Sequence, residues 1–357
     1  MHALGTSYRV TGSLLFCLLS LANGWKAPSK FLLISSPQNG TIGYIKLSQR
    51  TNISRDEVTP LISDGLHHPQ GIAVDQKRHR LLVADPDLGK LVAYSLRLSS
   101  NQVAVEGEPA VVADGVSPRW VAVDGRGNVF FSEEGEDQIL TVPADAEGTA
   151  PKLVYAGDAP VRAPGGIASD NFFVYWINKE EGTSSGLVVR GSQYDGSSNN
   201  ASELASLTSV RSEDEGATLK PTVLSSATSK GYGVCVARDI LFFTADSQEV
   251  YQVSRDPAAP SLAQQQSGSE KANLVTNQLV SPRGCAFDGQ ENVYVADRST
   301  NAVYAFPATS GIVQTSLVQL VEYEGAFGLA VVSGGTYRIC MRLVWAIILL
   351  CTWRMSC

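Results

Sequence analysis

Asp85, Asp246 and Asp297 each close a short apolar run, and Glu133 and Asn178 stand at the corresponding place in two others. Oxygen donors of this kind hold a hard cation when several converge. They have a plainer use too, because Asp and Asn side chains accept backbone N–H groups where a strand turns. Recurrence in unit after unit favours the turn, since a metal site needs a few convergent ligands. Asp75, Asp124, Asp170 and Asp288 follow a different set of runs and read as turn residues in the same way.

Histidine offers less. The chain has four, His2, His67, His68 and His79, and the last three sit in one short stretch. That spacing is no zinc signature. No Gly-x-Ser-x-Gly elbow and no His-supported nucleophile is visible, so no catalytic residue is assigned. Nothing calls for a cofactor, although loop oxygens leave room for Ca or another divalent metal.

A third group points to binding. Gln70, Arg119 with Trp120, Gly165, Tyr232, Arg283 and Phe327 lie at the entrances to six similar apolar runs, with His67 and His68 just ahead of the first. Guanidinium forks grip carboxylates and phosphates, and aromatics beside them supply contact area. The competing reading pairs each Arg with a neighbouring turn Asp.

A repeat orders these residues. Gly71-Ile72-Ala73-Val74-Asp75 returns as Trp120-Val121-Ala122-Val123-Asp124, Gly166-Ile167-Ala168-Ser169-Asp170, Gly233-Val234-Cys235-Val236-Ala237, Gly284-Cys285-Ala286-Phe287-Asp288 and Gly328-Leu329-Ala330-Val331-Val332. A period of roughly 45–50 residues marks an array of small structural units. In 69–98 three apolar runs of strand length are separated by turn residues, and 109–113 supplies a fourth. Both faces of these runs are apolar, as in sheets sandwiched between neighbours. Four strands per unit is the build of a propeller blade.

The ends complete each other. Residues 31–36 and 41–47 match the second and third strands of a unit, and 328–332 match a first strand. The expectation is therefore an all-β, six-bladed β-propeller with four-stranded blades, closed by N-terminal strands 31–47 pairing with C-terminal strand 328–332. Closure removes exposed sheet edges. In such a ring Arg119 and Arg283 fall three blades apart, across one mouth of the channel. With Trp120, Tyr232, His68, Gln70 and Phe327 they form the expected site for a protein or small anionic ligand. The first strands line the channel with apolar side chains and one Ser169, which leaves a deep metal without oxygen ligands.

Ser281-Pro282-Arg283-Gly284-Cys285-Ala286-Phe287-Asp288, then Val293-Tyr294-Val295-Ala296-Asp297 and Asn301-Ala302-Val303-Tyr304, resembles the NHL-repeat family of six-bladed propellers. His68-Pro69-Gln70-Gly71-Ile72-Ala73-Val74-Asp75 with Leu82-Val83-Ala84-Asp85 is nearly as good a match. The third unit departs: Val174-Tyr175-Trp176-Ile177-Asn178 looks like the related lipoprotein-receptor propellers. The fourth lacks the Pro and the turn Asp. The resemblance covers about 31–332 and implies the fold more than an activity. It includes a lyase with a His-rich zinc site, and related gluconolactonase-like propellers place acidic and Asn ligands around the channel.

Cys235 and Cys285 fall in adjacent columns of the repeat. Either a disulfide between consecutive units or two buried thiols satisfies that placement. A net charge of −7 and the lack of a basic stripe exclude a nucleic-acid binder. Arg9 ahead of the apolar 14–21 stretch, then Ala22-Asn23-Gly24, reads as a signal peptide over 1–24. Asn39, Asn52 and Asn200 open glycosylation sequons. Residues 25–335 form the propeller, with a polar insertion at about 180–230 and a shorter Gln/Ser loop at 261–270. The hydrophobic tail 336–357 reads as a lipid-anchor signal cut near 333–335, a short membrane segment, or an incorrectly read gene end.

Together these readings lead to a monomer in the secretory pathway, extracellular or at the cell surface. It acts as a non-catalytic binding module, with membrane association through the tail left open. The alternative is a metal-assisted hydrolase or lyase of the gluconolactonase-like or NHL lyase-like kind, using Glu133, Asn178 and Asp297.

Overall fold

Arg80–Asp85 is buried at all six positions. A strand achieves that only with packed layers on both faces, because successive side chains point to opposite sides. The computed structural model realises this six times over. It describes residues 28–47, 58–156, 160–180, 187–193, 221–226, 230–256, 272–309 and 317–334. Residues 1–24, expected to be a signal peptide, Asn52, Asn200, the 261–270 patch and the tail beyond 334 lie outside the described residues. Lys30–Ser333 forms one unit by contact, and everything below concerns it.

The unit is an all-β propeller of six four-stranded antiparallel sheets. The innermost strands of blades one to six are Ile72–Asp75, Trp120–Val123, Pro164–Ser169, Gly231–Ala237, Pro282–Phe287 and Leu329–Gly334. Blade six is composite: Leu329–Gly334 lies beside Ser29–Ser36, followed outward by Thr41–Leu47 and Thr59–Ile62. The N- and C-terminal strands therefore share one sheet, as the sequence expects. Within the 180–230 span, Leu187–Ser192 and Thr222–Ser226 are the outer strands of blade three.

Each seam between blades holds its own apolar cluster. Alternation along the second strands explains how. Leu81 and Val83 face blade six, whereas Leu82 and Ala84 face blade two. Trp176 packs toward blade two, and its neighbours Tyr175 and Ile177 toward blade four. Each fully buried large side chain contributes about 1.5–3 kcal/mol, so the ring is held by its seams.

The first strands meet even more closely at their entrances. A Cβ on Gly71 would stand 2.6 Å from the Cα of Trp120, and one on Gly284 would stand 2.6 Å from the Phe327 carbonyl. Glycine recurs in this column because the next blade's backbone occupies the space a side chain would need. Blade two alone carries Trp120 there.

Candidate functional site at the channel mouth

The acids that invite a metal reading are spent on the backbone. Asp85 accepts N–H groups from His67 at 2.8 Å and His68 at 3.0 Å, and another from Leu88. Glu133 accepts from Ser117, and Asn178 from Arg162. Asp297 accepts from Val280, Ser281, Ser299 and Thr300. Each side chain thus ties the loop entering the first strand to the end of the second. Asp75, Asp124, Asp170 and Asp288 likewise accept turn amides two or three residues ahead.

Asp246 does not belong in that column. Ala245 faces Gly231 as Asn178 faces Pro164 and Asp297 faces Pro282. Asp246 therefore aligns with Lys179 and Arg298, and all three donate their N–H to the entering loop, at Lys230, Ala163 and Ser281 respectively. Glu134 follows Glu133 in the same way. The column past the caps thus reads Glu134, Lys179, Asp246, Arg298 across blades two to five, alternating in sign on the mouth face. Sequence reasoning stopped at the caps and missed Glu134 and Lys179. Counting one residue further in each blade would have found them.

Three hydroxyls latch this face. Ser132 Oγ accepts from Trp120 N–H and donates to the Gly165 carbonyl of the next blade at 2.8 Å. Ser35 does the same between Gly328 and Gln70, and Thr244 between Gly233 and Arg283. At alternate seams the amide reaches across unaided, Gly71 to Arg119 at 3.0 Å and Gly284 to Phe327 at 2.8 Å. Those second strands carry Ala84 and Ala296 where the three latched ones carry hydroxyls, and blade three carries Ile177 there. Gln70 and Gly165 are thereby held by their carbonyls, and the Gln70 side chain is buried.

Between these latches the expected arginines do not face each other across an open mouth. Trp120 fills the centre. It stacks on Phe327 with centroids 5.3 Å apart, and its ring edge reaches the Gly284 entrance on the opposite blade. Both rings are buried, since aromatic area closes a narrow opening better than it tolerates water. Arg119 turns to Glu134, Nε to Oε2 3.6 Å. Its acid is this neighbour, one column beyond the capping Glu133, and not a turn Asp. Arg283, 8% exposed, lies over Tyr232 with its guanidinium carbon 3.8 Å from the ring centroid.

Lys179 connects the two arginines. Its Nζ sits 2.6 Å from Glu134 and 5.3 Å from the Tyr232 centroid. Burial lowers its pKa from the ordinary lysine value; Glu134 opposes this, while the charges of Arg119 and Arg283 add to it. Burial likewise holds the Arg283 guanidinium below its ordinary range, partly offset by Tyr232, Asp246 and Asp297. The mouth gathers Arg119, Lys179 and Arg283 with Trp120, Tyr232 and Phe327 around the seated Glu134, and Asp246 hydrogen-bonds Tyr232 beside them. His68 stands at the rim, 4.0 Å from Asp87. Among the described residues no group of three or more His, Cys, Asp or Glu side chains could hold a metal ion.

Cys235 and Cys285 form a disulfide between the innermost strands of blades four and five, with Cα atoms 5.7 Å apart. Ser169 remains on the channel wall with its Oγ buried and unpartnered among the described residues.

The chain is thus a six-bladed β-propeller whose channel is stoppered at a cationic mouth. No family model matches it, and no curated protein is significantly similar. Among solved structures it resembles a chain of the nidogen/laminin complex, at 17% identity and TM-score 0.59, over 85% of this chain and 98% of that one. Looser likenesses are a streptogramin B lyase, at 11% identity and TM-score 0.45 over 84% and 75%, and a 6-phosphogluconolactonase-like protein of Bacteroides uniformis, at 13% and 0.48 over 82% and 83%. At 17% identity the likeness to the nidogen/laminin chain shows the fold alone.

Proposed function

We propose that this chain is a secreted or surface-held propeller of NHL-like type that binds a protein partner through its mouth and performs no reaction on it. One observation carries the reading: Arg119, Lys179 and Arg283 gather around Trp120, Tyr232 and Phe327 on a single face. Arg and large aromatics are the residue types that dominate binding energy at protein interfaces. The acids an enzymatic reading would use, Glu133, Asn178 and Asp297, are engaged by loop amides. A similar fold in the nidogen/laminin complex is consistent with a propeller engaged in a protein assembly.

Export is part of the proposal. The 1–24 segment has the pattern of a leader, a disulfide between two blades suits an oxidising compartment, and Asn39 is exposed in a hairpin turn where a glycan has room. The test is affinity capture from extracellular medium with wild type and the Arg119→Ala/Arg283→Ala variant, quantified by mass spectrometry. The expected result is a partner enriched on wild type and lost on the folded variant. Identical recoveries on both proteins would contradict the reading.

A further inference from the structure

We propose that the mouth takes a carboxylate from an acidic segment of the partner, and that Glu134 occupies part of this site in the free protein as an internal substitute. The proposal rests on the binding reading above and specifies its chemistry.

Glu134 is seated between cations of two different blades, 2.6 Å from Lys179 and 3.6 Å from Arg119. The site has therefore already accepted a carboxylate, from a residue on a turn. The following Gly135 is exposed, and a Cβ there would meet nothing within 4 Å, so the turn has space to swing Glu134 outward. Lys179, 17% exposed, has no such freedom, being packed against Tyr232.

Arg283 supplies the second observation. It is buried, yet its partners are its neighbour's carbonyl, Pro282 at 2.9 Å, and the Tyr232 face. Among the described residues no carboxylate comes within ion-pair distance of it. Asp246 and Asp297 act on it only at longer range, and Asp297 is committed to four amides. A buried guanidinium without a close acid is costly, and a ligand carboxylate offsets that cost. Lys179 lies within electrostatic reach of Arg283 as well as Arg119. An acidic side chain arriving over Tyr232 would take Lys179 and Arg283 together and release Glu134 to water. The half-buried ring of Tyr232 favours a peptide, whose flanking side chains can pack against it, over a bare phosphate.

The experiment is calorimetric titration of hexaglutamate into wild type, Glu134→Gln, Lys179→Gln and the double variant at about 50 mM salt, where surface charges are only partly screened. Glu134→Gln is expected to bind about tenfold more tightly than wild type, and Lys179→Gln to abolish that gain in the double variant. A gain of affinity cannot come from misfolding, and Glu134→Ala should move the same way. If wild type binds but Glu134→Gln binds equally or more weakly, the internal-substitute idea is overturned while the binding function stands. If no variant binds hexaglutamate, the carboxylate proposal is overturned, while the binding function stands or falls on the capture experiment with the Arg119→Ala/Arg283→Ala variant. Inorganic phosphate displacing the peptide at equal concentration would overturn the carboxylate class.

Discussion

Single hydroxyls decide how adjacent blades meet at the mouth. Ser35, Ser132 and Thr244 each satisfy a first-strand amide and the next blade's carbonyl, both buried. Removing the oxygen leaves two polar groups without a partner, at about 1–3 kcal/mol. Ser132→Ala should therefore lower the unfolding free energy read from urea denaturation by that amount, while Ala84→Gly, at an unlatched seam, should leave the Gly71–Arg119 bond intact in amide exchange. Tyr155 gives a pH dependence. Burial raises its pKa to about 12, above the ordinary phenol value, and its hydroxyl donates to the Ser192 carbonyl. The unfolded chain then loses this proton first, so stability falls as pH rises from 10 toward 12, by roughly 2–3 kcal/mol at about 1.36 kcal/mol per pH unit. Alkaline unfolding followed by fluorescence should be correspondingly shallower for Tyr155→Phe. At this scale the sequence showed Arg119, Trp120, Tyr232, Arg283 and Phe327, because they precede a recurring run. It hid Glu134 and Lys179, because their column alternates in sign and so repeats no residue type. It also did not show that Trp120 would close the opening, since that depends on the width left between blades.

Elements were far more legible than side chains. Apolar runs on both faces dictate a sheet between sheets, and the half-units at the two ends dictate where the last strand goes. Blade four shows the limit: without its Pro and turn Asp, Asp246 looked like a cap, and only the pairing of Ala245 with Gly231 moved it one place. The disulfide also belongs to this scale. Cys235 and Cys285 stood in adjacent columns, but only the approach of two innermost strands brings them together. It closes a sequence separation of 50 residues, which on the chain-entropy model is worth about 4 kcal/mol. Cys285→Ala should lose about that much in urea unfolding, and reductant should lower wild type to the same level while leaving the variant unchanged.

The whole ring is fastened on its other face as well. Around the turns, Arg78 reaches the Arg126 carbonyl, Asn171 accepts from Gly125, and Arg255 pairs with Asp170. Arg238 then reaches Gln290, Lys30 reaches Asp288, and Gln76 bonds Val331. All six seams carry such a link, so neither face opens without breaking the circle. Deleting Leu329–Gly334 would expose the edge of Ser29–Ser36 and break the ring at blade six. The truncated chain should lose its cooperative melt and associate in gel filtration; a melt like that of the intact chain would refute closure. A closed ring presents two different faces, one carrying the turns of Asp124, Asp170 and Asp288 and one carrying Arg119 and Lys179 around Glu134, with Arg283 over Tyr232 and no carboxylate within ion-pair distance of it among the described residues. Partners are expected to use the second. Hydrogen exchange with and without hexaglutamate tests this most directly. Protection is expected in the segments holding Arg119, Lys179, Tyr232 and Arg283, with none at the turns of Asp124, Asp170 and Asp288. Protection confined to those turns, or absent from the mouth at saturating peptide, would contradict it.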